Sequence, residues 1–326
     1  MTRREFITLL GGTALTSRSG TAVAQGARPA RVGFISAIDQ AADSDFTHSL
    51  REGLAALGYA EPATLKLDLL FADYSRERIP ALLEELERRR VDVIVTHAGA
   101  TFDVVKGKRT IPAVYEFSAD PVTLGIATDL AHPLDNATGI SLMAAELNDK
   151  RLELLQQIAP EIRRIAVVAN SLHPGVQLER AVSEASAQKL NMQVSFFATP
   201  NRAQLDRALG SMEAERPEAL LLFSDAFIVD NRHYILNFTM SRRIPVITGW
   251  AVMAESGALC TYGPRLSETY RRTAYFVDRI LKGAKPAELP IEQPTVLELV
   301  VNLNSAKTLG ITVPPAVLVR ADRVIE

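Results

Sequence analysis

Two sets of short segments carry the residue types best able to grip a small polar molecule. The first is Ser36-Ala37, Thr96-His97-Ala98-Gly99-Ala100-Thr101 and Phe117-Ser118-Ala119-Asp120; the second is Asn170-Ser171, Ser224-Asp225 and Gly249-Trp250, with Tyr262 further on. Hydroxyl and glycine residues at a helix start leave free N–H groups and a partial positive charge, which together receive a carboxylate. An ammonium group needs an anion, and Asp120 or Asp225 supplies one. Trp250 and Tyr262 offer apolar walls or a cation–π surface. The set therefore suits a small zwitterion. Each residue type also has a plainer role. Ser or Thr after a strand commonly caps the next helix, Asp120 before Pro121 is a turn-capping position, and a lone tryptophan is commonly core. His97 reads as a polar lining residue.

Catalytic patterns are missing from the sequence. Gly33-Phe34-Ile35-Ser36-Ala37-Ile38-Asp39 after the first strand is not a dinucleotide fingerprint, and there is no P-loop and no G-x-S-x-G elbow. Histidines 48, 97, 132, 173 and 233 lack metal-ligand spacing, so neither a metal nor a cofactor is expected. The single cysteine, Cys260, excludes an intrachain disulfide. A net charge of −2 gives no electrostatic reason to expect nucleic acid as a partner.

Loops of this kind need rigid elements behind them. Arg31–Ser36 reads as a buried strand, and Phe46, Leu50, Leu54 and Leu57 recur at helical spacing until Gly58. Strands over 65–71, 92–96 and 111–116 alternate with helices in the same way. The order repeats downstream, with strands over 164–169, 192–197, 219–223 and 244–248. Ile111-Pro112-Ala113-Val114 and Ile244-Pro245-Val246-Ile247 open the two fourth strands. This predicts an α/β protein of two doubly wound parallel-sheet lobes, with ligand at the carboxyl ends of the strands. Three crossovers, near 142–146, 250–258 and 285–294, make a three-segment hinge. The expected division is 30–143 plus about 257–288 for one lobe and 144–256 plus about 289–326 for the other.

The first 24 residues read as an export signal. Arg3-Arg4 precedes a weakly apolar stretch from Ile7 to Leu15, and Ala22-Val23-Ala24 offers a cleavage site. Its removal takes away three arginines and one glutamate and moves the net charge from −2 to −4. The expected mature chain is a soluble periplasmic protein, exported by the twin-arginine route.

Several runs also resemble a known family. Tyr262-Gly263-Pro264, the helix-like run from Tyr270 to Lys282-Gly283, Leu289-Pro290, Glu292-Gln293-Pro294-Thr295 and the tail from Asn302 through Pro314-Pro315 to Glu326 are similar to ABC-transporter substrate-binding proteins of the tryptophan/tyrosine type. Arg3-Arg4-Glu5-Phe6, Val91–Thr96 and Ser118-Ala119-Asp120-Pro121-Val122 resemble the same family. The resemblance implies a type I periplasmic-binding fold with ligand between the lobes. The leading expectation is a binding protein that performs no chemistry and serves membrane-bound permease and ATPase subunits, and two similar lobes joined by three crossovers lead us to expect a monomer. A periplasmic sensor presenting its ligand to a membrane receptor is the alternative, and an enzyme on the same fold a more distant one. Arg265 departs from the family pattern, in which Asp often follows Tyr-Gly-Pro, and puts a positive charge near the expected cleft mouth.

Overall fold

The computed structural model describes residues 28–326, except for 108, 109 and 135. The export signal read from residues 1–24 lies outside the described residues. Two sheets organise the chain. The first is built from β1 (Ala30–Ser36), β2 (Leu65–Phe71), β3 (Val93–His97), β4 (Ala113–Phe117) and β7 (Ala137–Ser141), interleaved with α1 (Ser44–Ala56), α2 (Ile79–Arg88) and α3 (Ala100–Lys106). A small hairpin, β5 (Ala127–Asp129) with β6 (His132–Pro133), interrupts the run before β7. Spatial order is β2-β1-β3-β4-β7, and every pair in this sheet is parallel.

Strand residues alternate between two cores, as the two-residue period of a pleated strand requires. Phe34, Val93, Val95 and Val114 face one cluster, while Ile35, Ile94 and Tyr115 face the other. Both faces are buried, which is why these strands read as near-continuous apolar runs.

The second sheet follows α4 (Glu146–Ile158). It contains β8 (Arg164–Ala169), β9 (Gln193–Ala198), β10 (Ala219–Leu222), β11 (Val246–Thr248) and β12 (Cys260–Pro264). Helices α5 (Val176–Lys189), α6 (Arg202–Glu215), α7 (Ala226–Asp230), α8 (Arg232–Ser241) and α9 (Ala251–Glu255) connect them. After α10 (Leu266–Leu281), the chain adds β13 (Leu297–Asn302), α11 (Leu303–Leu309), α12 (Pro315–Leu318) and β14 (Arg323–Ile325). The order is β14-β13-β12-β11-β10-β8-β9, parallel except where β13 runs against β12. Again the faces alternate: Ile165, Val167 and Leu221 against Ala166, Val168 and Leu220.

The lobes are therefore similar in plan but unequal in size, and one crossover lies elsewhere than the sequence suggested. The strand at Cys260–Pro264 belongs to the second sheet, where Ile247 pairs with Cys260 and Thr248 with Thr261. The chain returns to the first lobe only at residues 264–266, not at 250–258. Helix α10 then packs on α1, burying Tyr270, Ala274, Val277 and Ile280 with Phe46, Leu50 and Leu54. Gly53 permits that approach: a Cβ there would lie 2.7 Å from the Arg271 carbonyl oxygen and 2.8 Å from Ala274 Cβ. The last crossing falls just after Glu292, at the end of the expected 285–294 segment, because Glu292 still bridges to Ile140 of the first sheet.

Candidate functional site

The carboxyl ends of both sheets open on one cleft of about 790 Å³. From the first lobe it is lined by the start of α1, His97 and Ala98 after β3, Glu116 and Ser118 at the end of β4, and the start of α10. From the second lobe come His173, Asp225, Asp230, Arg232 and Trp250.

Three ionisable side chains form the floor on the first-lobe side. His97 Nδ1 lies 2.5 Å from Glu116 Oε2, and its Nε2 is 3.4 Å from Asp43 Oδ1. The imidazole is stacked on Phe46 at 4.6 Å and meets the edge of Tyr270 at 5.7 Å. Burial alone would depress the His97 pKa; the nearby Asp43 and Glu116 carboxylates overcome it and raise the value above its ordinary 6.5. Burial raises the Asp43 carboxyl, against the pull of His97 and of the nearby Ser36 hydroxyl. Ala98, next in the chain, has φ +53, a left-handed turn that few non-glycine residues adopt.

The second lobe contributes a different polar cluster. Arg151, fully buried on α4, donates Nε–H to the Tyr262 carbonyl at 2.9 Å and Nη1–H to the Ala144 carbonyl at 3.2 Å and Asn148 Oδ1 at 2.6 Å. Burial lowers its pKa to about 10, which leaves it cationic at neutral pH. Glu179, also buried, is raised to about 8 by burial, with Arg151 drawing it the other way.

Among the described residues, two side-chain hydrogen bonds cross the cleft. The Tyr74 hydroxyl donates to Asp230, and His173 Nε2 lies 2.7 Å from Ser118 Oγ. With Glu179 Oε1 3.6 Å from His173 Nδ1, the second bond has the composition of a Ser-His-acid triad. It has the wrong proton arrangement. The Gly175 N–H donates to Nδ1 at 3.2 Å, so the ring proton sits on Nε2 and is given to Ser118 rather than taken from it. Burial, the main cause, lowers the His173 pKa and keeps the ring neutral. Ser118–His173 is thus an interlobe latch and not an activated nucleophile. Cys260 is no nucleophile either, since burial pushes its thiol up to about 12. Among the described residues no group of three His, Cys, Asp or Glu is placed to hold a metal ion.

The residues singled out by sequence fall into two groups. His97, Ala98, Ser118, Asp225 and Trp250 line the cleft. Ser36, Thr96, Thr101 and Ser224 are buried behind its wall; Ser36 Oγ accepts from the Ile38 N–H, and the other three hydroxyls have no partner. Asn170 also lies off the wall, its Nδ2–H bonded to Asp225. Asp120 is a correction: its carboxylate caps the following turn through the Val122 N–H and the Thr123 hydroxyl, and it does not reach the cleft. Asp225 faces the cleft while capping α7 through the Phe227 N–H. Tyr262 is a second correction. Its side chain packs against the core of the second lobe, and its contribution is the carbonyl that holds Arg151. Asp43, Glu116, Tyr270 and His173 were missed by sequence reasoning. Glu116 inside an otherwise apolar strand was the one signal available.

A family model for ABC transporter substrate-binding proteins matches residues 31–325. The chain belongs to that family. Its members bind substrates and are not enzymes. Among curated proteins, this binding protein is 22% identical over 256 residues to a tyrosine-binding protein of Clostridioides difficile, covering 77% of this chain and 72% of that one. Among solved structures it resembles the ABC domain in complex with L-Trp from Streptococcus pneumonia, with a TM-score of 0.85 and 23% identity over 91% of this chain and 100% of the other. A conserved domain protein from Vibrio cholerae matches with a TM-score of 0.84 and 26% identity over 90% and 99% of the two chains.

Proposed function

We propose that this protein is the extracytoplasmic solute-binding component of an ABC importer, and that it encloses one amino acid, aromatic or branched, between its lobes. The cleft carries the reading: it draws its walls from both lobes and is spanned by the Tyr74–Asp230 and Ser118–His173 bonds. Closure about a three-segment hinge would bury the ligand and present a new surface to a permease and its ATPase. Phe46, Tyr270 and Trp250 give the cleft apolar area for a side chain. The first turns of α1 and α10 face it and offer N–H groups to a carboxylate. The tyrosine-binding and L-Trp-bound relatives support an aromatic amino acid. Arg265 sits at the mouth, 3.5 Å from Glu298, so its charge is largely compensated.

The test is calorimetric titration of ligand-stripped protein with aromatic, branched and acidic amino acids, alongside solution scattering. Binding near the micromolar range, about −8 kcal/mol, with a smaller radius of gyration at saturation is expected. No amino acid binding overturns the ligand class, and an unchanged scattering profile overturns closure. Export by the twin-arginine route and action as a monomer complete the proposal. Replacing Arg3 and Arg4 by Lys should leave precursor in the cytoplasm, and sedimentation at micromolar concentration should give the mass of one chain.

A further inference from the structure

Asp43 is anomalous for a buried carboxylate. It is 1% exposed, it lies on the cleft wall, and neither of its oxygens completes a hydrogen bond of good geometry. His97 Nε2 is 3.4 Å away, and its ring is committed through Nδ1 to Glu116. Glu116, also 1% exposed and on the wall, leaves its own Oε1 without a partner. Three acceptor atoms are therefore withdrawn from water at one end of the cleft, with only the His97 imidazole and the nearby Ser36 hydroxyl to answer them. Leaving such groups unmet costs free energy that a protein ordinarily avoids by pairing them.

The rest of the cleft does not compensate. Lysine is absent from its lining, and three of its four arginines already hold acids: Arg265 with Glu298, Arg271 with Glu52 and Arg323 with Glu255. The aromatic rings of Phe46 and Tyr270 lie 4.7 Å apart beside the same floor and bring no positive charge to it.

We infer that Asp43 and Glu116 receive the protonated amine of the ligand, with His97 holding the two carboxylates apart and in place. The inference rests on the solute-binding reading and names the groups that select its ligand. It assigns the cation to the first lobe rather than to Asp225, whose Oδ1 already takes hydrogen bonds from Asn170 and the Phe227 N–H. A protonated amine supplies three donors, which matches the three open oxygens. Asp43 and Glu116 are then ligand-binding residues, and His97 is a positioning residue.

The experiment compares phenylalanine, its desamino analogue 3-phenylpropionate, its decarboxylated analogue 2-phenylethylamine, and putrescine. Each is titrated into the parent protein, Asp43→Asn and Glu116→Gln. Compounds bearing an amine should bind at least tenfold tighter than phenylpropionate, and Asp43→Asn should weaken them at least tenfold. The same variant should melt at a higher temperature than the parent without ligand, because it removes a buried charge that His97 and Ser36 compensate only in part. A merely structural Asp43 would lower that temperature. Binding of phenylethylamine or putrescine without phenylalanine would discard the amino-acid reading and keep the amine site. Equal binding of phenylalanine and phenylpropionate, or affinities unchanged in both variants, would overturn the amine site and leave solute binding standing. Failure of every amine to bind the parent protein would also overturn it. The analogue series on the parent protein decides the matter even if a variant fails to fold.

Discussion

Each lobe buries a charged cluster containing a histidine, and the two are built on opposite logic. In the first lobe, His97 lies between Asp43 and Glu116, its pKa is raised despite burial, and the acids keep buried oxygens without hydrogen-bond partners at the cleft wall. In the second lobe, Arg151 directs its donors to the Tyr262 and Ala144 carbonyls and Asn148, away from the cleft. His173, 3.6 Å from the Glu179 carboxyl that Arg151 also influences, accepts a backbone N–H and stays neutral. The second cluster spends its cation on backbone carbonyls, although Glu179 Oε2 and Asn148 Nδ2 also lack partners; the first has no cation beyond its histidine. Buried polar groups that are fully engaged fix a fold, whereas those left open at a cleft wall are available to a ligand.

Breaking the engaged cluster should cost most. Arg151→Met removes the cation and leaves buried carbonyl acceptors unmet, and should destabilise the protein by about 3–5 kcal/mol. Chemical denaturation checks this. A cost below about 1 kcal/mol would mean that water or rearrangement replaces the guanidinium. The glycine at 249 bears on the same point, since a Cβ there would lie 2.6 Å from Arg151 Nη2 and 2.1 Å from Ser224 Oγ.

His97→Gln should cost less, about 2 kcal/mol, because it removes a hydrogen bond to a charged group and leaves two acids facing one another. The pH dependence gives the sharper reading. His97 has a folded-state pKa above its ordinary 6.5, so its contribution is fully present below about pH 6.5 and is lost as pH rises through the raised value. His173 has a lowered pKa, so its contribution is present above 6.5 and is lost as pH falls towards the folded value. Denaturation of His97→Gln and His173→Gln across pH 5 to 9 should show stability losses that change in opposite directions. Parallel curves would remove the distinction between the clusters.

Ser118→Ala should have the smallest effect, about 1 kcal/mol, since it deletes one acceptor of one interlobe bond. The loss falls on closure rather than folding. Scattering of the unliganded variant should show a larger radius of gyration with an almost unchanged melting temperature, and a drop of many degrees would mark the bond as part of a core.

The legibility of the site follows the range of the interactions that make it. Asp120 and Asp225 were the acids visible to sequence reasoning because each follows a strand at a loop, and local geometry did decide Asp120, as a turn cap. Asp43 was invisible: it lies in an alanine- and aspartate-rich stretch before α1, and nothing local says that β3 and β4 will bring His97 and Glu116 beside it. The assignment of Tyr262 failed for a related reason. Tyrosine after a strand suits a cleft, but alternation along β12 turns that side chain towards the second-lobe core and leaves only its carbonyl for Arg151.

The sequence by itself determined the alternation of strands and helices and the two-lobed plan. Those follow from periodicities of two and 3.6 residues and from turn residues, which act over a few positions. Tertiary structure alone decided where β12 belongs and which carboxylates meet His97. It also decided that the proton of His173 points at Ser118. Pairing of strands, burial of charge and the choice of a tautomer depend on groups distant in the chain, and their free energies exist only once the lobes have assembled.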